Sequence, residues 1–165
     1  MKIPDLPDLY DLSPSVIKYI QYLKDMLKIY KYDDLTKLPM RRDFNDTLDT
    51  YSLSGYPFTL YLVDLNGLKA MNDNGCYEDG DNFILKVVNE LNNKDGRLFR
   101  IGGDEFSLLT YRDQNVPLIS THEYCVGRCD FEATKSAREY FKVAEKHLKQ
   151  EKLKYYEEQG ICRRK

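Results

Sequence analysis

The 165-residue chain predicts a layered α+β fold, a central and mostly antiparallel sheet flanked by helices, with one further helix ahead of it. Three observations carry that reading. The segment Phe58-Thr-Leu-Tyr-Leu-Val63 is apolar almost throughout, as a central strand covered on both faces must be. Residues 97–101 and 106–111 read as two short strands, and Gly102-Gly103-Asp104-Glu105 between them reads as a hairpin turn. Apolar residues then recur at three- and four-residue spacing in Phe44, Leu48 and Tyr51, in Phe83, Ile84, Val87, Val88 and Leu91, and in Ala137, Tyr140, Phe141, Ala144 and Leu148. That is the stripe by which a helix packs on a sheet.

Taken in order, residues 1–13 read as a loose lead-in. Ser13-Pro14 starts a helix, Ser as cap and Pro at the first helical position. Val16, Ile20, Leu23, Leu27 and Tyr30 follow at alternating steps of four and three, a seam of about two heptads. Such a seam suits either a helix packed on its own domain or a short dimer stalk. A second helix spans about Pro39 to Tyr51 and ends at Ser54-Gly55-Tyr56-Pro57. The strand at 58–63 leads to Asp64. A helix from about Asp81 to Asn92, the hairpin, a strand near Tyr124–Asp130 and a helix from about Thr134 to Glu158 complete the chain, with Gly160 placed to end the last helix. The division expected is a lead-in and helical stalk over 1–32 and one catalytic-type domain over 33–165.

Composition narrows the function. Apolar residues make up 42% and charged residues 32%, a globular balance that supports a core without disulfides. The formal charge of −2 gives no broad attraction for a nucleic-acid polymer. No apolar run reaches membrane-spanning length, and the acidic N-terminus lacks the layout of a signal peptide. A cytoplasmic location with reduced thiols at Cys76, Cys125, Cys129 and Cys162 is therefore expected. Nothing in the chain reads as a sensor domain.

Asp64, Asp104 and Glu105 carry the chemical interest. If the hairpin pairs beside the strand at 58–63, the three carboxylates converge. Two like charges about 4 Å apart cost about 4 kcal/mol at an effective dielectric of about 20. Such a group requires a cation or raised pKa values. Hard oxygen ligands without a neighbouring His or Cys suit Mg²⁺ or Mn²⁺ rather than Zn²⁺. Gly102 and Gly103 leave room for a triphosphate to approach the backbone. Read alone, Gly-Gly-Asp-Glu is equally a plain solvated turn.

Arg100-Ile-Gly-Gly-Asp-Glu-Phe106 resembles the signature hairpin of GGDEF-domain diguanylate cyclases. Two more segments agree in order and spacing. Asp34-Leu-Thr-Lys-Leu-Pro-Met-Arg-Arg42 resembles the family's opening motif, and Val63-Asp-Leu-Asn-Gly-Leu-Lys-Ala-Met-Asn-Asp73 with Gly80-Asp81 resembles its strand-to-helix segment. The resemblance covers residues 33–110 firmly. It implies the palm-like nucleotidyl-cyclase fold and metal-dependent joining of two GTP into cyclic di-GMP with release of pyrophosphate. By matched position, it implies two Mg²⁺ or Mn²⁺ per site on Asp64, Asp104, Glu105 and the Leu65 carbonyl. Asp104 and Glu105 are the implied catalytic residues, and Asp104 either takes the proton or only holds the metal. Asn72 and Asp81 match the pair that binds guanine, Lys69 a lysine near the phosphates, and Leu68 an apolar residue near ribose and base. Lys152 matches a lysine of the last helix that holds the outer phosphates. A homodimer is implied, because the product is two-fold symmetric and each domain holds one GTP.

Guanine presents donors at N1 and N2 that Asp81 can accept, and acceptors that the Asn72 amide can serve. The helix reading above also allows Asp81 as a helix N-cap. The chain departs from the family pattern at Met40 in place of asparagine, Cys76 in place of histidine, Asn93 and Gly96 where an inhibitory Arg and Asp would stand, and Tyr156 where an arginine would stand. The last departure keeps a rival open, a degenerate domain that binds GTP or a partner protein without turnover. A related cyclase with another nucleotide product is a further rival, against which Asn72 and Asp81 speak. A zinc site on His122, Cys125 and Cys129 would need a spacing that fits no common zinc pattern.

Overall fold

A computed structural model describes residues 13–74, 77–111 and 118–160. In chain order the elements are α1 (Pro14–Lys31), α2 (Arg41–Ser54), β1 (Phe58–Leu65), α3 (Leu68–Asn74), α4 (Tyr77–Asn92), β2 (Arg97–Arg100), β3 (Glu105–Tyr111), β4 (Tyr124–Asp130) and α5 (Ala137–Glu158). Among the described residues the strands form one four-stranded sheet in the order β2-β3-β1-β4, antiparallel at every pairing. β1 is central, and all eight of its residues are buried, as its unbroken apolar run requires.

Residue parity divides the core into two layers. Tyr61, Val63 and Leu65 face α4, packing with Ile84, Val87, Val88 and Leu91. Phe58, Leu60 and Leu62 face α2 and α5, packing with Phe44, Leu48, Tyr140, Ala144 and Leu148. Gly127 of β4 permits the close approach of α5. A Cβ there would lie 2.0 Å from the Ala144 carbonyl oxygen and 2.6 Å from the Leu148 nitrogen.

Several boundaries differ from the sequence reading. α2 begins at Arg41, two residues late, because Pro39 and Met40 are extended and bridge to Tyr32 and Arg100. α4 begins at Tyr77, so Asp81 lies inside the helix and is not its N-cap. α5 begins at Ala137 behind a capping arrangement in which the Glu139 carboxylate accepts from the Ser136 N–H and hydroxyl. The hairpin, β4 and the left-handed Gly160 beyond α5 fall where expected. Of the seam residues of α1, Val16 and Leu23 are exposed and Ile20 is half-buried. The side chains of Leu27 and Tyr30, the lead-in over 1–12, Cys76 and Cys162 lie outside the described residues.

Candidate active site

The C-terminal end of β1 gathers the acids. Asp64 is directly opposite Glu105 of β3 on one side and Cys125 of β4 on the other, so all three share the face that α5 covers. The Leu65 N–H donates to the Asp104 carbonyl at 2.9 Å and ties the hairpin turn to the strand end. Asp64 is buried, and Asp104 and Glu105 are half-buried. Burial pushes the Asp64 carboxyl above its ordinary range, the Lys152 ammonium opposes this, and the charges of Asp104 and Glu105 push it up further.

The protein answers this crowding with its own cations. The stripe Tyr140, Ala144, Leu148 on α5 continues by four residues to Lys152, whose Nζ lies 2.7 Å from Asp64 Oδ1. Arg41, the first residue of α2, donates from Nε to the Ile101 carbonyl at 2.6 Å and from Nη2 to Glu105 Oε2 at 3.0 Å. Among the described residues, no three His, Cys, Asp or Glu side chains form a group that could hold a metal ion. A cleft of about 430 Å³ opens above the pair, lined by Asp64, Glu105, Lys149, Lys152, Leu153 and Tyr156.

The residues matched to guanine binding lie on α3 and α4. Asn72 on α3 packs against Gly80 on α4, where a Cβ would lie 1.9 Å from Asn72 Oδ1 and 3.4 Å from Leu68 Cδ1. Gly80 is therefore the space in which the Asn72 amide sits, and the exposed Asp81 is its next residue. Leu68 is buried between Leu65 and the α4 core, and Lys69 is exposed. At the hairpin, a Cβ on Gly102 would lie 2.6 Å from Glu105 Oε2, whereas Gly103 faces open space.

A family model, "Diguanylate cyclase, GGDEF domain", matches residues 30–144. The chain belongs to the GGDEF family. Diguanylate cyclase DgcP of Escherichia coli (strain K12) is 33% identical over 98 residues, covering 55% of this chain and 29% of that protein. Diguanylate cyclase VdcA of Vibrio cholerae is 34% identical over 104 residues, covering 59% of this chain and 31% of that protein. The chain thus matches about a third of the length of these relatives. The crystal structure of the coiled coil and GGDEF domain of DgcB from Caulobacter crescentus, in complex with c-di-GMP, superposes with a TM-score of 0.72 at 19% identity, covering 84% of this chain and 89% of that one. This bears out the palm-like cyclase fold.

Within this GGDEF domain the opening motif works through a residue the sequence reading passed over. Asp34 is exposed, whereas Asp33 accepts from the Thr36 N–H at 2.8 Å, the Thr36 hydroxyl at 2.7 Å and Arg100 Nη1 at 2.8 Å. Burial works to raise the Asp33 pKa, but these bonds outweigh it and hold the carboxyl below its ordinary range. Arg100 also donates from Nη2 to the Gly103 carbonyl at 2.7 Å, so the motif and the signature turn share one guanidinium. The pair Asp33 and Arg100, with Arg41, fixes the hairpin. Their signal in the sequence is an acid and arginines inside the two motifs, legible only once both are known to meet.

Among the described residues, Cys125 and Cys129 do not join a metal set. Cys125 is buried and its thiol contacts Asn66 Oδ1 at 3.4 Å, Cys129 is buried nearer the other end of β4, and His122 is exposed. The zinc reading is not supported by this placement. Among the described residues, no helix is long and apolar enough to cross a membrane.

Proposed function

We propose that the chain is a metal-dependent diguanylate cyclase that condenses two GTP into cyclic di-GMP and releases pyrophosphate. The observation that carries this reading is the pairing of Asp64 with Glu105 at one sheet end, with Asp104 beside them and a cationic lysine over Asp64. A buried carboxylate that already draws an ammonium to 2.7 Å has the character of a cation site, and its donors are all hard oxygens. Asp64, Asp104, Glu105 and the Leu65 carbonyl would hold Mg²⁺ or Mn²⁺. When bound, such ions lower the pKa of an attacking hydroxyl and offset charge at the α-phosphate.

The remaining chemistry belongs to the chain. Asp81 accepts from guanine N1–H and N2–H₂ while Asn72, braced by Gly80, serves the acceptor edge. Adenine lacks that pair of donors, and an unmet acceptor costs about 1–3 kcal/mol. Gly103 leaves the turn open to the triphosphate, and Lys152 and Lys69 offset its charge. The 3′-hydroxyl of one GTP attacks the α-phosphate of another held by a second copy, so two domains must face each other. The exposed Val16 and Leu23 of α1 are suited to hold that pair. Tyr156 lining the cleft favours the second reading, a domain that holds GTP without turnover.

Incubation with GTP and Mg²⁺ followed by mass spectrometry separates the two. Cyclic di-GMP from the parent and none from Asp104→Ala supports the cyclase. Protection against heat by GTP without product favours the binding module.

A further inference from the structure

The ion pair between Lys152 and Asp64 is not an ornament of the surface. The Asp64 side chain is 9% exposed and that of Lys152 20%, with the two atoms at 2.7 Å. Lys152 holds this place by helix phase, as the next four-residue step of a stripe whose earlier members Tyr140, Ala144 and Leu148 are buried. A divalent ion on Asp64 would bring two more positive charges within about 4 Å of the ammonium, a repulsion on the scale of several kcal/mol at intermediate dielectric. Both cations therefore cannot occupy the carboxylate together. Beside it, the more exposed Glu105 pairs with Arg41 at 3.0 Å. Both carboxylates thus already have a cationic partner supplied by the chain itself.

Lys152 has somewhere to go. It lines the 430 Å³ cleft with Lys149, which is paired there with Glu145 at 3.0 Å, so a polyanion entering that cleft meets the Lys152 ammonium. We infer that Lys152 is an exchangeable internal cation that competes with a divalent metal for Asp64, and that the phosphates of a nucleoside triphosphate free the carboxylate by drawing Lys152 away. The inference rests on the reading of Asp64 as a metal ligand in the proposed cyclase. Its consequence is that metal and triphosphate bind cooperatively, whereas metal alone binds the free chain weakly. Lys152 is then a positioning residue that sets the order in which the site fills.

The test is Mn²⁺ binding to the full chain without nucleotide, read by the electron paramagnetic resonance of the free ion. Lys152→Met, and the neutral hydrogen-bonding variant Lys152→Gln, should bind Mn²⁺ about ten- to hundredfold more tightly than the parent, the span expected from loss of a charge-assisted competitor. Lys152→Arg keeps the charge and should bind as weakly as the parent. Lys149→Met removes a neighbouring cation paired with Glu145 at 3.0 Å, and should change the affinity less than twofold, about the limit for an exposed pair. Equal Mn²⁺ affinity in parent, Lys152→Met and Lys152→Gln, with binding still abolished by Asp64→Asn, overturns the exchange and leaves the metal site standing. Binding that Asp64→Asn does not alter in the Lys152→Gln background overturns both. An equal gain in Lys149→Met would reduce the effect to general charge and overturn the exchange as well.

Discussion

The two ends of β1 are built from opposite materials under the same helix. At the N-terminal end Phe58 is fully buried among aromatic rings, with Tyr140 at 4.9 Å, Phe131 at 5.5 Å and Tyr51 at 5.6 Å between centroids. At the C-terminal end, on the same face, Asp64 stands among Glu105, Cys125 and Lys152. Tyr140 of α5 covers the first and Lys152 of α5 covers the second. The aromatic end stabilises through area removed from water and asks nothing of pH. The acidic end works against folding, because burial and two neighbouring carboxylates disfavour the charged Asp64. The strand can present a costly carboxylate at one end because the other end anchors it.

That division is broken most directly at its apolar end. Phe58→Ala removes a ring with no exposure and leaves a cavity between β1 and α5, a change that typically costs about 3–5 kcal/mol. Urea unfolding followed by far-ultraviolet circular dichroism measures it. A loss below about 1 kcal/mol, the range of a tolerated surface change, would mean that Phe58 anchors nothing.

The acidic end is sharpened by pH, because the buried Asp64 and the half-buried Asp33 have opposite shifts. Asp64 has its pKa raised above 3.8, chiefly by burial. The stability it contributes is fully present below 3.8 and is lost as pH rises through its folded value. Asp33 has its pKa lowered, burial being outweighed by the bonds from Thr36 and Arg100. Its contribution is present above 3.8 and is lost as pH falls through its folded value. The stability of the parent relative to Asp64→Asn should therefore fall as pH rises above 3.8, and relative to Asp33→Asn it should fall as pH drops below 3.8. Urea midpoints over a pH series read both. Parallel curves for Asp64→Asn and the parent would remove the cost assigned to Asp64.

Why one end was legible in the sequence and the other only in part follows from the same contrast. An apolar run, a Gly-Gly turn and helical stripes are local signals, and they place β1, the hairpin, α4 and α5 within a few residues. The meeting of Asp64 with Asp104 and Glu105 needed only the pairing of β1 with β3, which the hairpin reading supplied as a condition. The partners of those acids were not local. Lys152 is 88 residues from Asp64 in sequence (152 less 64), and its pairing depends on the phase of α5 over the sheet. Arg41 reaches Glu105 across 64 residues. The short helix α3 escaped as an element of its own because Gly67 and the seven residues after it give too little periodicity to read. The start of α4 escaped because Gly80 lies within its first turns, where its absence of a side chain serves Asn72 and not the helix.

The smallest effect lies in the loop that joins α1 to α2, and it tests whether the opening motif spends stability on the site as Asp64 does. Lys37 adopts φ 57°, the left-handed region, and is the sole non-glycine to do so among the described residues. Its ion pair with Asp34 is 3.9 Å long between two exposed groups, so nothing there repays the strain. What holds the conformation is the turn around it: the Lys37 N–H donates to the Asp33 carbonyl at 2.8 Å, and the Asp33 N–H donates to the Leu38 carbonyl at 2.9 Å. Left-handed backbone costs a side-chain-bearing residue about 1–2 kcal/mol, and glycine gives back roughly 0.5–1 kcal/mol of that in added freedom of the unfolded chain. Lys37→Gly should therefore stabilise by about 0.5–1 kcal/mol, seen as a higher urea midpoint with an unchanged slope. A loss of stability instead would show that the lysine side chain, and not the turn, keeps Asp33 in place beneath Arg100.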